Sequence, residues 1–144
     1  MRNTGCQVDF YILGDNQTAE LLACRLAIMA WEQGHRIAVL TEKADEVSRL
    51  DKLMWDNPAG RFLPHSPDFT NQSAPVRIGT VDAEIPADCE VIINLTSKAI
   101  PQPERFKRLL EVVPGNTSER TASRHKFRNY RDQGLQPASH TIGK

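Results

Sequence analysis

The chain has 144 residues, of which 40% are hydrophobic, and its 18 basic and 18 acidic residues give a formal net charge of zero. That length favours one compact domain over two, and the longest mainly apolar stretch, Leu21 to Trp31, is too short to cross a bilayer. A neutral total also speaks against a protein that wraps duplex DNA, because such proteins spread basic charge over much of their surface.

Strands and helices are predicted to alternate through the first half of the chain. The stretch "VDFYIL", from Val8 to Leu13, is β-branched and aromatic, and it precedes a turn cluster in which Thr18 is placed to start a helix. That helix has a broad apolar face and ends near Gly34. "HRIAVLT" is an apolar strand without alternation, which is typical of burial on both faces. "KADEVSRLDKLMW" spaces its apolar residues by three and four, which predicts a second amphipathic helix.

A long loop is predicted to separate this half from the next. Residues 56–75 hold four prolines, so they are predicted to be mostly loop, with one short extended piece at "RFLPH". "VRIGTV" and "EVIINLT" are the next predicted strands. "QPERFKRLLEVV" is predicted to be a short helix with three apolar residues facing inward, namely Phe106, Leu109 and Leu110.

A last helix is predicted over residues 117–133, with Asn116 and Glu119 as a capping pair and Gly134 at its end. Strands that alternate with helices predict an α/β fold. We expect a single-domain three-layer sandwich with a mostly parallel sheet, similar in shape to Rossmann and P-loop folds.

The domain is expected to occupy residues 1–144, with an ordered core over about 7–135 and a C-terminal tail over 136–144. We assign no function to this tail.

Motifs for cofactors, metals and catalysis are missing. The first strand–helix turn, "ILGDNQTAE", holds one glycine and no GxGxxG, and the chain contains no GxxxxGK[ST]. The four histidines and three cysteines lack metal-ligand spacing, and no GxSxG surrounds a serine. We therefore expect no cofactor, no metal and no catalytic residue. The widely spaced cysteines, without a secretory leader, favour a reducing cytoplasm.

Positive charge is concentrated near the C-terminal end. Residues 1–103 carry nine basic and 14 acidic residues, whereas residues 104–144 carry nine and four. In the last predicted helix, one stripe about 100° wide contains four arginines and a phenylalanine. These residues are Arg120, Arg124, Phe127, Arg128 and Arg131.

Two interpretations of this stripe remain open. It could be a solvated basic face, or it could bind a small anionic target such as an acidic peptide, a phosphate group or a few nucleotides. Like charges at i and i+4 repel, which a bound anion would relieve. Arginine also binds carboxylates and phosphates through two parallel hydrogen bonds, and Phe127 would provide an apolar floor.

A second unusual stretch is "LMWDNPAGRFLPH", in which large apolar residues lie on a loop rich in proline and glycine. Such residues either fill part of the hydrophobic core or form a surface that binds another protein. The second interpretation is supported by the enrichment of Trp and Phe where interfaces concentrate their binding energy.

The chain resembles the chi subunit family of the bacterial DNA polymerase III holoenzyme over residues 8–135. The resemblance is carried by the order and spacing of five segments, "FYIL", "LACRLAIMAWEQGHRIAVLTE", "RLDKLMWDNPAGRFLPH", "VIINLT" and "RHKFRNYRDQGL". It implies a cytoplasmic accessory subunit of a DNA polymerase that has no active site and no cofactor. One surface would bind the psi subunit of the clamp loader, and another the acidic C-terminal tail of single-stranded DNA-binding protein. DNA would be contacted only indirectly, and no membrane would be involved.

The resemblance also implies the residues of both surfaces. The tail, which ends in an Ile-Pro-Phe-like tip with a free carboxylate, would bind Val113, Arg120, Arg124, Phe127, Arg128 and Tyr130. In this assignment Arg124 takes the terminal carboxylate, and Phe127 packs against the terminal ring. Psi, or another partner such as a helicase, would bind Trp55, Phe62, Leu63, Pro64 and His65.

The chain departs from the family pattern at two positions of the implied tail site. Phe127 stands where the family often has tyrosine, and Arg120 stands where lysine is familiar. Both changes keep a ring or a charge, so they leave the implied site intact.

Two other functions follow from the residues themselves. The first is direct binding of single-stranded nucleic acid, with Phe127 or Tyr130 stacking on bases. The second, favoured only by the fold class, is a degenerate nucleotide-binding enzyme.

Overall fold

Strands and helices alternate along the chain, whose computed structural model describes residues 5–14, 17–56, 62–115 and 117–142. In these ranges the helices are α1 (Ala19–Glu32), α2 (Ala44–Asp56) and α3 (Thr117–Asp132). The strands are β1 (Gln7–Ile12), β2 (Ile37–Thr41), β3 (His65–Ser66), β4 (Val76–Thr80), β5 (Val91–Asn94), β6 (Arg108–Val113) and β7 (Ala138–Thr141).

The seven strands form one sheet in the order β3-β4-β2-β5-β6-β1-β7, and every pair of neighbours is parallel. The central strands β2 and β5 are buried at every residue, as expected for parallel strands with both faces covered. The α/β fold class predicted from the sequence is therefore confirmed, and the parallel pairing is complete rather than partial.

Apolar side chains form a core on each face of the sheet. On one face, α1 and α2 pack over residues such as Val39, Ile93 and Leu110. On the other face, residues such as Phe10 and Ile92 pack against Tyr130 of α3. The described residues thus form helix, sheet and helix layers, as the three-layer prediction required.

The helix ends follow local rules that the sequence made visible. The Thr18 hydroxyl accepts a hydrogen bond from the Leu21 amide at 3.2 Å, so Thr18 is the N-cap of α1. The turn after α1 passes through Gly34 at a φ of +90°, and the turn after α3 passes through Gly134 at +92°. Both glycines adopt a left-handed conformation that side chains disfavour. The predicted capping partners Asn116 and Glu119 lie outside the residues whose side chains are described.

The helix predicted over "QPERFKRLLEVV" is wrong. The chain forms a single 3₁₀ turn at Pro103–Arg105 and then the strand β6. Leu109 and Val113 pack on the face covered by α3, while Leu110 and Val112 pack on the opposite face. Because β6 lies between β5 and β1, burial on both faces outweighs the helical spacing of its leucines.

The C-terminal tail predicted over residues 136–144 also needs correction. Ala138–Thr141 forms β7, which pairs in parallel with β1 at the edge of the sheet. All four residues of β7 are exposed, so the strand carries no apolar pattern that sequence reasoning could detect. The ordered structure therefore extends beyond the predicted limit at residue 135.

Candidate functional site

A cavity of about 260 Å³ lies between α3 and the adjoining edge of the sheet. Strands β1, β6 and β7 supply one side of it, and α3 supplies the other. Its lining residues are Phe10, Ile12, Val113, Arg120, Ser123, Arg124, Phe127 and Ser139.

Aromatic rings form the apolar part of this cavity. The Phe10 ring centroid lies 5.3 Å from that of Phe127, at an interplanar angle of 47°. It also lies 6.1 Å from the Tyr130 ring, which is fully buried beneath it. Tilted rings at these distances attract each other, so Phe10 and Phe127 hold each other in place as a floor.

Exposed arginines surround this apolar floor. Arg120, Arg124 and Arg128 are exposed, and the first two line the cavity. The ion pairs found among the described residues involve none of the three. An apolar cavity with guanidinium groups at its rim can accept a ligand that combines an apolar side chain with carboxylates.

The structure brings four of the six residues predicted for this site together. Val113, Arg120, Arg124 and Phe127 line the cavity, and Arg128 is exposed on α3 without lining it.

Tyr130 does not line the cavity, because its side chain is fully buried and its hydroxyl bonds to Glu111. Its placement in the pocket is therefore corrected.

Sequence reasoning missed four lining residues. Val8, Phe10 and Ile12 follow each other at a spacing of two residues along β1, and this spacing is a signal that could have identified the face directed towards α3. Ser123 lies four residues before Phe127, which is the spacing of one helix face. Ser139 offered no signal, since it belongs to a strand that the sequence did not predict.

A buried polar network fixes α3 to the sheet below the cavity. The carboxylate of Glu111, on β6, is fully buried. Lys126 donates from Nζ to Glu111 Oε1 at 2.7 Å and to the Thr96 carbonyl at 2.8 Å, and it is only 3% exposed. A buried ion pair with these added hydrogen bonds offsets the cost of removing its charges from water.

Two further groups complete this network. The Tyr130 hydroxyl donates to Glu111 Oε2 and accepts from the Ile100 amide at 2.8 Å. The Asn94 side chain donates to both carboxylate oxygens of Glu111, at 3.1 and 2.9 Å. Burial, together with the Glu111 charge, raises the pKa of Tyr130 far above its usual value, so the hydroxyl remains a donor.

A second polar cluster ties β7 to the sheet. The carboxylate of Asp9, on β1, is 2% exposed, accepts from Arg108 at 2.7 Å and lies 2.8 Å from His140 Nε2. Burial alone would raise the pKa of Asp9, but the hydrogen bonds from His140 and Arg108 outweigh it and lower that pKa. The His140 ring also stacks on Tyr11 at 5.1 Å.

An exposed aromatic pair lies at the other unusual stretch. Trp55, at the end of α2, is 60% exposed, and Phe62 is 59% exposed. Their ring centroids are 5.5 Å apart, and the Trp55 ring meets the ring of His65 at 5.0 Å. Two large exposed rings in contact are typical of a surface that another protein covers.

The other residues predicted for this surface have different positions. Leu63 is fully buried in the core, and Pro64 is partly exposed. The His65 side chain is fully buried, with Nδ1 2.6 Å from the Leu63 carbonyl and Nε2 3.2 Å from the Asp51 carbonyl. Leu63 is thus part of the hydrophobic core, and His65 packs beneath Trp55, so neither contributes a side chain to the exposed surface.

An α/β sheet usually binds nucleotides at the carboxyl ends of its strands. The chain leaves the neighbouring strands β2 and β5 in opposite directions, and ligands of open α/β sheets bind at such switch points. A cavity of about 460 Å³ lies there, lined by residues that include Leu40, Val81 and Ile100. In the first strand–helix turn, the Gly14 amide donates to Gln17 Oε1 at 2.8 Å. That hydrogen bond occupies an amide that a phosphate would need.

Among the described residues, no group of three or more His, Cys, Asp or Glu side chains could hold a metal ion. None of the described helices combines the length and the apolarity needed to cross a membrane.

Comparison with known proteins identifies the family. The sequence model of the family described as "DNA polymerase III chi subunit, HolC" matches residues 6–138. The chain belongs to the chi subunit family. The family resemblance drawn from the sequence is therefore confirmed, and family membership supports a place in bacterial DNA replication as a chi-type subunit of DNA polymerase III.

Relatives of chi from three bacteria match almost the full chain. The DNA polymerase III subunit chi of Pseudomonas aeruginosa is 34% identical over 139 residues, which cover 94% of this chain and 96% of the relative. The subunit of Haemophilus influenzae is 25% identical, with 93% and 96% covered. The subunit of Escherichia coli is 26% identical, with 88% and 91% covered.

Two solved structures resemble this chain in fold alone. T4 UvsW superposes with a TM-score of 0.71 at 7% identity, and a DEAD box protein from Methanococcus jannaschii with a TM-score of 0.60 at 13% identity. In each case 96% of this chain is covered, but it spans only 42% of the other chain.

Proposed function

We propose that this protein is a cytoplasmic adaptor without an active site, which links the clamp loader to single-stranded DNA-binding protein. Psi would attach it to the clamp loader, and the acidic C-terminal tail of single-stranded DNA-binding protein would bind at α3. The observation that carries the proposal is the apolar cavity of about 260 Å³ with Arg120 and Arg124 at its rim.

The cavity suits the tip of such a tail. Its volume is below the range of pockets for drug-sized ligands, so it fits one or two side chains. The terminal aromatic ring would pack between Phe127 and Val113, over Phe10. Arg124 would bind the terminal carboxylate through two hydrogen bonds, and Arg120 with Arg128 would attract the acidic residues upstream.

Psi would bind the exposed aromatic pair. Trp55 and Phe62 are among the largest exposed apolar side chains of the described residues, and a partner would remove both rings from water. Pro64 would lie at the border of that surface, while Leu63 and His65 support it from beneath. In an organism without psi, the same surface would serve another partner, such as a helicase.

Direct binding of single-stranded nucleic acid is a weaker alternative. Base stacking needs exposed rings along a basic groove. Tyr130 is fully buried, which removes one of the two rings that could have stacked on bases, and Phe127 is half-buried against Phe10.

Fluorescence anisotropy tests the choice of ligand. A labelled acidic peptide that ends in Asp-Ile-Pro-Phe and a labelled oligo-dT are titrated against the protein and its Arg124→Ala variant. Loss of one charge-assisted contact costs about 1.5 to 3 kcal/mol, so peptide affinity should fall roughly ten- to hundredfold.

Arg131→Ala is the matched control, because Arg131 is exposed on the same helix but does not line the cavity. Its peptide affinity should change by less than about threefold, as expected for an exposed charge outside the cavity. Binding of oligo-dT without binding of the peptide would overturn the adaptor proposal. Equal losses in both variants would show that general charge, rather than the cavity, attracts the peptide.

A further inference from the structure

The cavity of about 460 Å³ at the carboxyl ends of the strands is separate from the cavity beside α3, since the two share no lining residue. Its volume falls within the usual range for small-molecule sites. Leu40 of β2 lines it, together with Val81, which directly follows β4, and Thr96, which follows β5 by two residues. It therefore lies at the switch point between β2 and β5, where open α/β sheets bind their ligands.

The interior of this switch-point cavity is mainly apolar. Leu40 and Ile100 are buried, and Ile85 and Ala99 are partly buried against the same core. Val81 is 51% exposed, although it is a large apolar residue. A ligand that fills the cavity would remove this apolar surface from water.

Two exposed cations, Lys98 and Arg105, also line the cavity. The ion pairs found among the described residues include neither of them. Arg105 is held in position, because it donates to the carbonyls of Gln102 and Pro101, each at 3.3 Å. Its guanidinium also lies 4.7 Å from the centroid of the Phe106 ring. The two cations can therefore meet an anionic group of a ligand.

The turn that positions Arg105 has a strained backbone. Gln102 has a φ of +51°, and it is the one non-glycine residue with a positive φ among the residues that the structure describes. A side chain in the left-handed region costs conformational free energy. Such strain persists where surrounding contacts fix it, and it is common at ligand sites.

The loop that forms one wall of the cavity, residues 96–100, is fastened from beneath. Lys126 of α3 donates from Nζ to the Thr96 carbonyl at 2.8 Å. The Ile100 amide donates to the Tyr130 hydroxyl, also at 2.8 Å. Because buried side chains hold both ends of the loop, the wall is formed before any ligand binds, which lowers the entropic cost of binding.

The polar side chains of the cavity suit an acid better than a nucleotide. Among the lining side chains Thr96 is the one that is polar and uncharged, and its hydroxyl already donates to Asn94 Oδ1 at 2.7 Å. A nucleobase buried there would lack side-chain partners for its several donors and acceptors, which is costly. An apolar body with one anionic group needs partners for that group alone.

We propose that the switch-point cavity binds a small apolar acid. An aromatic or aliphatic body fills the cavity, and a carboxylate or phosphate meets Lys98 and Arg105. The site is independent of the peptide-binding function proposed for the cavity beside α3, so either can fail without the other.

NMR titration of the isotope-labelled protein locates the site. Naphthylacetate and naphthyl phosphate supply the apolar body with each kind of anion, and naphthylacetamide is the neutral match. Both acids should shift the amides of residues 81–85 and 96–100. The neutral amide should bind at least about fivefold more weakly, because it lacks the charge-assisted contacts. AMP should bind at least about tenfold more weakly than naphthyl phosphate, because its base would be left without partners.

Variants test the charges that line the cavity. The double variant Lys98→Ala/Arg105→Ala should weaken naphthylacetate binding at least about tenfold. Lys52→Ala removes an exposed lysine outside the cavity and should change the affinity less than about twofold. Glu84→Gln removes the lining carboxylate, so it should strengthen binding about twofold. Circular dichroism melting of each variant reports whether the fold persists.

Three results would overturn the proposal. The first is the absence of shifts at residues 81–85 and 96–100 with both acids. The second is equal affinity for naphthylacetate and naphthylacetamide, or an unchanged affinity in the folded double variant, because the two cations would then play no part. The third is tighter binding of AMP than of naphthyl phosphate, which would assign the cavity to nucleotides.

Discussion

The two sides of α3 use charged residues in opposite ways. On the side facing the sheet, Lys126 is 3% exposed and bonds to the fully buried carboxylate of Glu111. On the side facing solvent, Arg120, Arg124 and Arg128 are exposed, and the ion pairs among the described residues leave them out. One helix thus carries cations that hold the fold together and cations that remain available to a ligand.

This difference predicts two kinds of effect. A change on the inner side should lower the free energy of unfolding, because it leaves buried polar groups without partners. A change on the outer side should alter ligand affinity with little effect on stability, because exposed substitutions usually change stability by less than about 0.5 kcal/mol.

The largest effect is expected for Glu111→Ala. Removing this carboxylate leaves the Lys126 ammonium buried without its counter-charge and deprives the Tyr130 hydroxyl of its acceptor. Breaking a buried pair in this way costs about 3 to 5 kcal/mol of stability. Chemical denaturation measures the loss, and Glu104→Ala, at an exposed position, serves as the control. A loss below about 1 kcal/mol would show that the inner network does not fix α3.

A smaller effect is expected for Tyr130→Phe. The variant keeps the ring that packs beneath Phe10 but removes a hydroxyl that joins Glu111 to the Ile100 amide. The unpaired amide and carboxylate oxygen should cost about 1 to 3 kcal/mol. Denaturation and peptide titration are measured on the same variant. If affinity fell by much more than stability, Tyr130 would belong to the outer, ligand-binding side.

Salt should distinguish the two sides without any substitution. Exposed charges are screened over about 8 Å at physiological ionic strength, whereas buried pairs are screened much less. Raising the salt concentration from about 0.05 to 0.5 M should therefore weaken peptide binding severalfold. The stability difference between the unaltered protein and Glu111→Ala should remain nearly constant over this range. Peptide affinity that does not respond to salt would contradict the roles given to the arginines.

The smallest effect is expected from acid at the cluster that fastens β7. Because its folded-state pKa is lowered, Asp9 stabilises the fold at a pH above its unfolded value of about 3.9, and this stabilisation is lost as pH falls through the folded value. Asp9→Asn should flatten the decline in unfolding free energy between about pH 5 and pH 3. Asp82→Asn, at an exposed position, should keep the original slope. A slope in Asp9→Asn equal to that of the unaltered protein would contradict this role.

The sequence predicted the elements whose local signals agree with their environment. The Thr18 cap, the Gly34 stop and the continuous apolar run of β2 each correspond to a local rule. In β6, leucines at helical spacing coincide with burial on both faces of a strand, and spacing alone cannot separate the two cases. β7 is exposed at every residue, so it has no pattern of burial to reveal it.

The candidate site was predicted in part for a related reason. Arg120, Arg124 and Phe127 share one helix face, so helical periodicity alone could group them. Phe10 and Ser139 reach the same cavity only through the pairing of β1 with β7, which is a tertiary contact between distant segments. Helical periodicity could not show that Tyr130 turns inward, because its partner, the buried carboxylate of Glu111, belongs to the distant strand β6.

The position of β1 in the sheet has a consequence for biosynthesis. Of the described strands, β1 is synthesised first, and it lies between β6 and β7 in the sheet. Asp9 of β1 contacts Arg108, which follows it by 99 residues, and His140, which follows it by 131 residues. At about 5 to 20 residues per second, a ribosome needs roughly 5 to 20 seconds to supply the first of these neighbours. Contacts between such distant segments also slow folding. During that interval the apolar residues of β1 lack both neighbouring strands, and a nascent chain is open to wrong pairing or to capture by a chaperone. The described sheet is therefore complete only after β7 has left the ribosome.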